Sequence, residues 1–178
     1  DLVVEIPADL ELPDEAVLEA NLRPFAVESA EPADIVVGRI ALPVDEAAFP
    51  AGTFRVDVNR VGGRDAEDPV VKPYWLWDAP SLIHVRGALA SALEVVAGVH
   101  LGLAHLLPRR DGLLLHASAV RAAGSAFVFA GPAESGKTTA ANGFAGGTLL
   151  ADERVAVRRA APASQLKAHS SKLRSHTP

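Results

Sequence analysis

The chain has 178 residues, is 49% hydrophobic and carries a formal net charge of −5. That is apolar material for one domain, or a small domain plus part of another, and it offers no basic field to attract nucleic acid. It holds no cysteine, which excludes a disulfide framework and any cysteine-based zinc or redox site.

Residues 1 to about 50 are acidic and punctuated by proline. Leu2-Val3-Val4-Glu5-Ile6 reads as a short strand, residues 14–22 as a short helix ended by Pro24, and residues 34–40 as a second strand. Residues 54–58 alternate apolar and polar, the pattern of a half-exposed strand, and Gly62-Gly63 marks a turn. The acidic residues here have no catalytic spacing and read as a solvated face. No secretory signal is visible, and the expected location is cytoplasmic.

Every tryptophan and tyrosine lies in Pro73-Tyr74-Trp75-Leu76-Trp77-Asp78. Two readings stand: a core corner where subdomains meet, or an aromatic wall for a base or peptide. Asp78 is placed to cap a long helix over residues 81–107, with Pro80 in its first turn. Leu82, Val85, Leu89, Leu93, Val96, Val99, Leu103 and Leu107 recur at helical spacing, and Pro108 ends the run. Residues 87–107 are apolar enough to compare with a membrane span, but Glu94 is costly there. A buried core helix and no membrane partner are the expectation. His84, His100 and His105 have no repeated metal-ligand spacing.

Asp111-Gly112 reads as a turn, residues 113–120 as a strand, 121–124 as a hairpin connection and 125–130 as a buried strand. Next comes Gly131-Pro132-Ala133-Glu134-Ser135-Gly136-Lys137-Thr138-Thr139, which fits the phosphate-binding pattern G-x-x-x-x-G-K-[ST]. The glycines let backbone N–H groups turn inward around phosphate oxygens, and a helix over 137–144 adds its positive end. Lys137 has the length to reach β- and γ-phosphates, and the Thr138 hydroxyl suits Mg²⁺. Residues 148–157 read as a strand interrupted by Asp152-Glu153. If that stretch is extended, the two carboxylates point to opposite sides and only one faces the phosphates. Strand 148–151 is expected beside the strand that feeds the loop, because a short crossover places neighbours together. Residues 159–178 have no apolar period and read as a disordered tail.

Taken together, Leu113-Leu114-Leu115-His116-Ala117-Ser118-Ala119-Val120, the Phe127-Val128-Phe129 strand, the loop motif and Leu149-Leu150-Ala151-Asp152-Glu153 resemble the HPr kinase/phosphorylase family. The closest likeness is to its smaller relatives, the HPr-kinase-like serine kinases, and it covers roughly residues 75–158. The resemblance implies an α/β fold with a P-loop core of the phosphoenolpyruvate-carboxykinase type, preceded by a small α+β region. The expected organisation is an N-terminal region over 1–78, the core over 79–158 and a tail over 159–178. It also implies phosphoryl transfer from ATP with Mg²⁺ to a protein serine or a small-molecule hydroxyl, in a homo-oligomer. On this reading residues 131–139 bind the phosphates, and Thr138, Asp152 and Glu153 are the metal-side residues. Lys137, Asp152 and His116 are the catalytic ones, with Asp152 as acceptor base or metal holder.

The chain departs from the family in two places. Ala133-Glu134 stands where the family has Ser-Gly, and Glu134 brings a negative charge toward the phosphates. The family also continues past the acidic strand with further strands and a Mg²⁺-binding acidic residue. Here about twenty unpatterned residues follow, so the core is expected to be incomplete, as in a truncated or frame-altered member. The rival readings are a catalytically incomplete nucleotide-binding module that works through protein interaction, and an unrelated P-loop ATPase.

Overall fold

A computed structural model of the chain describes residues 4–6, 16, 32–60 and 70–159. The expected helix over 14–22, apart from one residue, the Gly62-Gly63 turn and the tail beyond Arg159 lie outside the described residues. The chain divides into two compact units, residues 1–110 and 111–178. The division falls after Arg110 and not after Asp78, because the segments on either side of residue 78 pair with each other in one hairpin.

The first unit is a five-stranded mixed sheet. Its strands are β1 (Val4–Glu5), β2 (Ile35–Arg39), β3 (Phe54–Arg60), β4 (Val70–Ala79) and β5 (Leu82–Gly87), in the order β1-β2-β5-β4-β3. β1, β2 and β5 run parallel, and β4 is antiparallel to both β5 and β3. One helix, α1 (Ala92–Leu106), packs on β2 and β5. Ile35, Val37, Tyr74, Leu76, Ile83 and Val85 from the strands meet Leu89, Val95, Val99 and Leu106 in one buried cluster. Each large aliphatic side chain buried there contributes about 1.5–3 kcal/mol. Close approach of helix to sheet depends on Gly102, where an added Cβ would lie 2.6 Å from Ile35 Cγ2.

The long helix expected over 81–107 is instead a strand followed by a shorter helix. Residues 82–87 alternate between half-buried and buried, the period of a strand, and Ile83 and Val85 are β-branched. Pro80-Ser81 forms the tight link between β4 and β5. The helix starts only after Ser91, whose hydroxyl accepts the Glu94 N–H, while the Glu94 carboxylate accepts the Ala90 N–H at 2.9 Å. This Ser-x-x-Glu pattern is a capping-box signature legible in the sequence. Asp78 therefore caps no helix; it accepts from Arg109 at 2.8 Å and lies 3.2 Å from His105. Hydrogen bonding to Arg109 holds the Asp78 carboxyl below the usual carboxylate range. The aromatic stretch is strand, not corner: Tyr74 and Trp75 are buried, and Tyr74 Oη donates to the Glu94 carbonyl at 2.8 Å. Among the described residues no helix is long and apolar enough to cross a membrane.

The second unit holds β6 (Gly112–Leu115), β7 (Ala117–Ala122), β8 (Ser125–Ala130), α2 (Lys137–Asn142), β9 (Thr148–Ala151) and β10 (Val155–Arg158). These form two sheets: β8-β7-β9, and β10 paired with β6. The expected strand 113–120 breaks at His116, and the expected strand 148–157 breaks at residues 152–154. In each case the first half joins a different sheet from the second. The β7–β8 hairpin turns through Ala123 and Gly124, both at positive φ (49° and 76°), as a two-residue hairpin requires. β9 lies on the far side of β7, not beside β8 as expected. Both pair antiparallel with β7, so β8 and β9 run parallel and end at the same edge. The β7–β8 hairpin takes up the neighbouring position that a simple crossover would have left open.

Candidate functional site

The loop 131–136 leaves the C-terminal end of β8 and leads into α2, as the motif requires. Gly136 stands at φ 82°, a left-handed conformation that a side chain resists, and directly precedes Lys137. An added Cβ on Gly131 would lie 2.7 Å from Ser135 Oγ, so the loop is wound tightly around that position. Glu134 also takes a positive φ, 62°, with its side chain exposed. A non-glycine residue there is strained. Lys137 Nζ donates to the Pro132 carbonyl at 2.7 Å, folding back over its own loop.

Asp152 follows the last residue of β9 and is the meeting point of the site. Its Oδ1 accepts from Ser118 Oγ on β7, from Thr138 Oγ1 at 3.0 Å and from the Glu153 N–H at 3.1 Å. The Ser118 hydrogen bond does most to hold the Asp152 carboxyl below the usual carboxylate range; burial opposes it, and Thr138, the Glu153 N–H and the charge of Lys137 add smaller effects in the same direction as Ser118.

Glu153 does not sit opposite Asp152 on an extended strand. The chain bends there, with Glu153 at φ 71°, and Glu153 Oε2 lies 3.4 Å from His116 Nε2. Of the sequence-derived site residues, the structure thus brings Lys137, Thr138 and Asp152 into one neighbourhood. His116 pairs with Glu153, and both are exposed. The remaining loop residues, Pro132, Ala133, Ser135 and Thr139, stay exposed on the loop and first helical turn. Among the described residues no group of three or more His, Asp or Glu is arranged to hold a metal ion.

Sequence reasoning passed over Ser118. It sits two residues after His116 in the buried stretch Ala117–Val120, whose other residues are apolar, and a lone buried hydroxyl there signals a polar partner.

No protein-family model, no curated protein and no solved structure matches the chain.

Proposed function

We propose that the second unit binds ATP with Mg²⁺ and transfers its terminal phosphoryl group to a hydroxyl, of a protein serine or a small molecule. This is the activity implied by the resemblance to the HPr-kinase-like serine kinases, with their α/β P-loop core. The observation that carries the reading is the 3.0 Å contact of Thr138 Oγ1 with Asp152 Oδ1. It joins the loop motif to the acidic strand end, 14 residues on in sequence. These are the two groups a Mg²⁺–phosphate site has to unite.

The donor set suits a magnesium nucleotide. Mg²⁺ is held by one or two protein oxygens plus substrate phosphates, so a hydroxyl and a single carboxylate suffice. The ion supplies charge neutralisation on the phosphates. Lys137 exchanges its hydrogen bond with the Pro132 carbonyl for a charge-assisted one to a phosphate oxygen. The tightly wound Gly131 and left-handed Gly136 keep side chains out of the space that backbone N–H groups need around phosphates. An Asp152 held ionised by its donors is a weak base, which favours the metal-side role over removal of the acceptor's proton. Such a reaction belongs in the cytoplasm, and the homo-oligomeric state implied by the resemblance is part of the proposal.

Titration calorimetry tests the reading. Lys137→Ala removes the fixed positive side chain of the loop and abolishes Mg-ATP binding; wild-type affinity in that variant sinks the assignment. In Asp152→Asn, binding and transfer fall together and excess Mg²⁺ partly restores both. A loss of transfer of about 10²–10⁴ with binding intact would instead make Asp152 the acceptor base.

The second reading, a nucleotide-binding interaction module, is favoured by the exposed Leu113, Phe127, Val128, Leu149 and Leu150 of the same unit. Nucleotide binding without transfer or hydrolysis selects it.

A further inference from the structure

We propose that Ser118 is a positioning residue that presets Asp152 for a divalent cation, locking one carboxylate oxygen and leaving the other for the ion. This rests on the reading of the second unit as a Mg-ATP site. Ser118 is fully buried, on the central strand of the β8-β7-β9 sheet opposite Phe129. Asp152, as a carboxylate, only accepts, so the Ser118 hydroxyl donates to it. A carboxylate oxygen offers two lone pairs. Oδ1 takes three donors, Ser118, Thr138 and the Glu153 N–H, one more than its two lone pairs, so two of them share a lone pair and no room remains there for a cation. Among the described residues no donor reaches Oδ2. Thr138 spends its proton on Asp152 and keeps its own lone pairs for a cation.

The three donors are not equal in what they fix. The Glu153 N–H belongs to a bend at φ 71°, and Thr138 to a helix of six residues. Ser118 alone sits inside a strand, paired with Phe129 of β8 and next to Ala119, where pairing with β9 begins, and its side chain is shielded from water. It sets the rotation of the carboxylate. A merely structural hydroxyl would behave differently. Ser118 lies between Ala117 and Ala119, both buried, and alanine at this position costs the exposed Asp152 only one of its three donors, which water replaces. Folding stability should therefore change little while cation affinity falls.

The test uses the full chain and a fluorescent N-methylanthraniloyl derivative of ATP, titrated without Mg²⁺ and then with Mg²⁺ at fixed nucleotide. In Ser118→Ala the Mg²⁺ concentration needed for half-maximal binding rises about 10–100-fold, the usual worth of a group that orients a metal ligand. Affinity for the metal-free nucleotide and the melting temperature stay near wild type. Ser118→Thr keeps the hydroxyl and restores the wild-type Mg²⁺ requirement. Ser118→Cys keeps the volume with a weak donor, and gives an intermediate requirement should the alanine variant unfold. A folded Ser118→Ala with the wild-type Mg²⁺ requirement overturns the proposal, as does a threonine variant no better than alanine. A wild type that binds the nucleotide with no response to Mg²⁺ also overturns it. A wild type that binds no nucleotide at all overturns the Mg-ATP reading first, and this proposal with it.

Discussion

In residues 1–110 the buried cluster joins three strands and a helix through side chains as large as Tyr74, Leu76 and Leu106, whereas in the second unit it consists of Ala117, Ala119 and Val155. The apolar content of the strands does not explain the contrast. Phe127, Val128, Leu149 and Leu150 lie in strands of the second unit, yet each is more than 40% exposed. What differs is the cover. A 15-residue helix lies across the first sheet, while the three-stranded sheet is backed by a helix of six residues. Among the described residues, Phe127 and Phe129 find only Phe144 as an aromatic neighbour, at ring distances of 4.9 and 6.1 Å. The candidate site residues sit in the thinly packed unit, and the larger buried cluster sits in the other. Local openings of low free energy belong where apolar contacts are few.

Paired truncations put the largest expected effects on this comparison. Leu76→Ala should cost about 2–5 kcal/mol, the usual range for a buried leucine. Both tryptophans, Trp75 and Trp77, lie on β4, so tryptophan fluorescence in urea reads the first unit alone. Val155→Ala, in the small cluster, should cost about 1–2 kcal/mol, read by hydrogen exchange of β7 amides. Equal costs for the two would break the comparison.

A smaller effect is expected at Glu134. Glycine there relieves a left-handed backbone worth about 1–2 kcal/mol, offset by about 0.5–1 kcal/mol of extra chain entropy. Glu134→Gly should therefore stabilise the second unit slightly by hydrogen exchange, and leave Mg-ATP affinity unchanged or tighter by calorimetry. Weaker binding would mean that the strained glutamate serves the loop.

The smallest effect concerns pH. His84 stacks on Trp77 at 4.7 Å, and burial, with the Arg86 charge beside it, lowers its pKa from 6.5. The unfolded chain then binds a proton that the folded chain refuses. Stability is complete above about pH 6.5 and falls as the pH drops through that value toward the lower folded pKa. Urea midpoints by tryptophan fluorescence should fall from pH 7.5 to pH 5.5 (about one unit to either side of a free histidine), and His84→Gln should flatten that slope. An unchanged slope in the variant would assign the dependence to another group.

The loop motif was legible because it is local. A strand, two glycines, Lys137-Thr138 and a helix start need no distant partner, and the structure has them in that order. The β7–β8 hairpin was legible for the same reason, since Ala123-Gly124 suits a two-residue turn. The stretch 81–107 misled because Leu82, Val85 and Leu89 satisfy a helical period while Ile83, Val85 and Gly87 satisfy a strand period. A short apolar run carries both. The capping serine and glutamate at 91 and 94 were the local evidence that would have decided it.

Other features had no local determinant. His116 and residues 152–154 break their strands because the flanking halves pair with different partners, β6 with β10 and β7 with β8 and β9. Composition cannot announce such a division, since every half remains a good strand by itself. Glu153 turns to His116 rather than opposing Asp152 because the chain changes sheets at that point. Sequence alone put forward the residues proposed to meet phosphate and cation, Lys137, Thr138 and Asp152, together with His116 and Glu153. Only the tertiary structure decided that Ser118 bonds the same carboxylate oxygen as Thr138, because strand pairing and the helix crossover close that distance across 34 residues of chain.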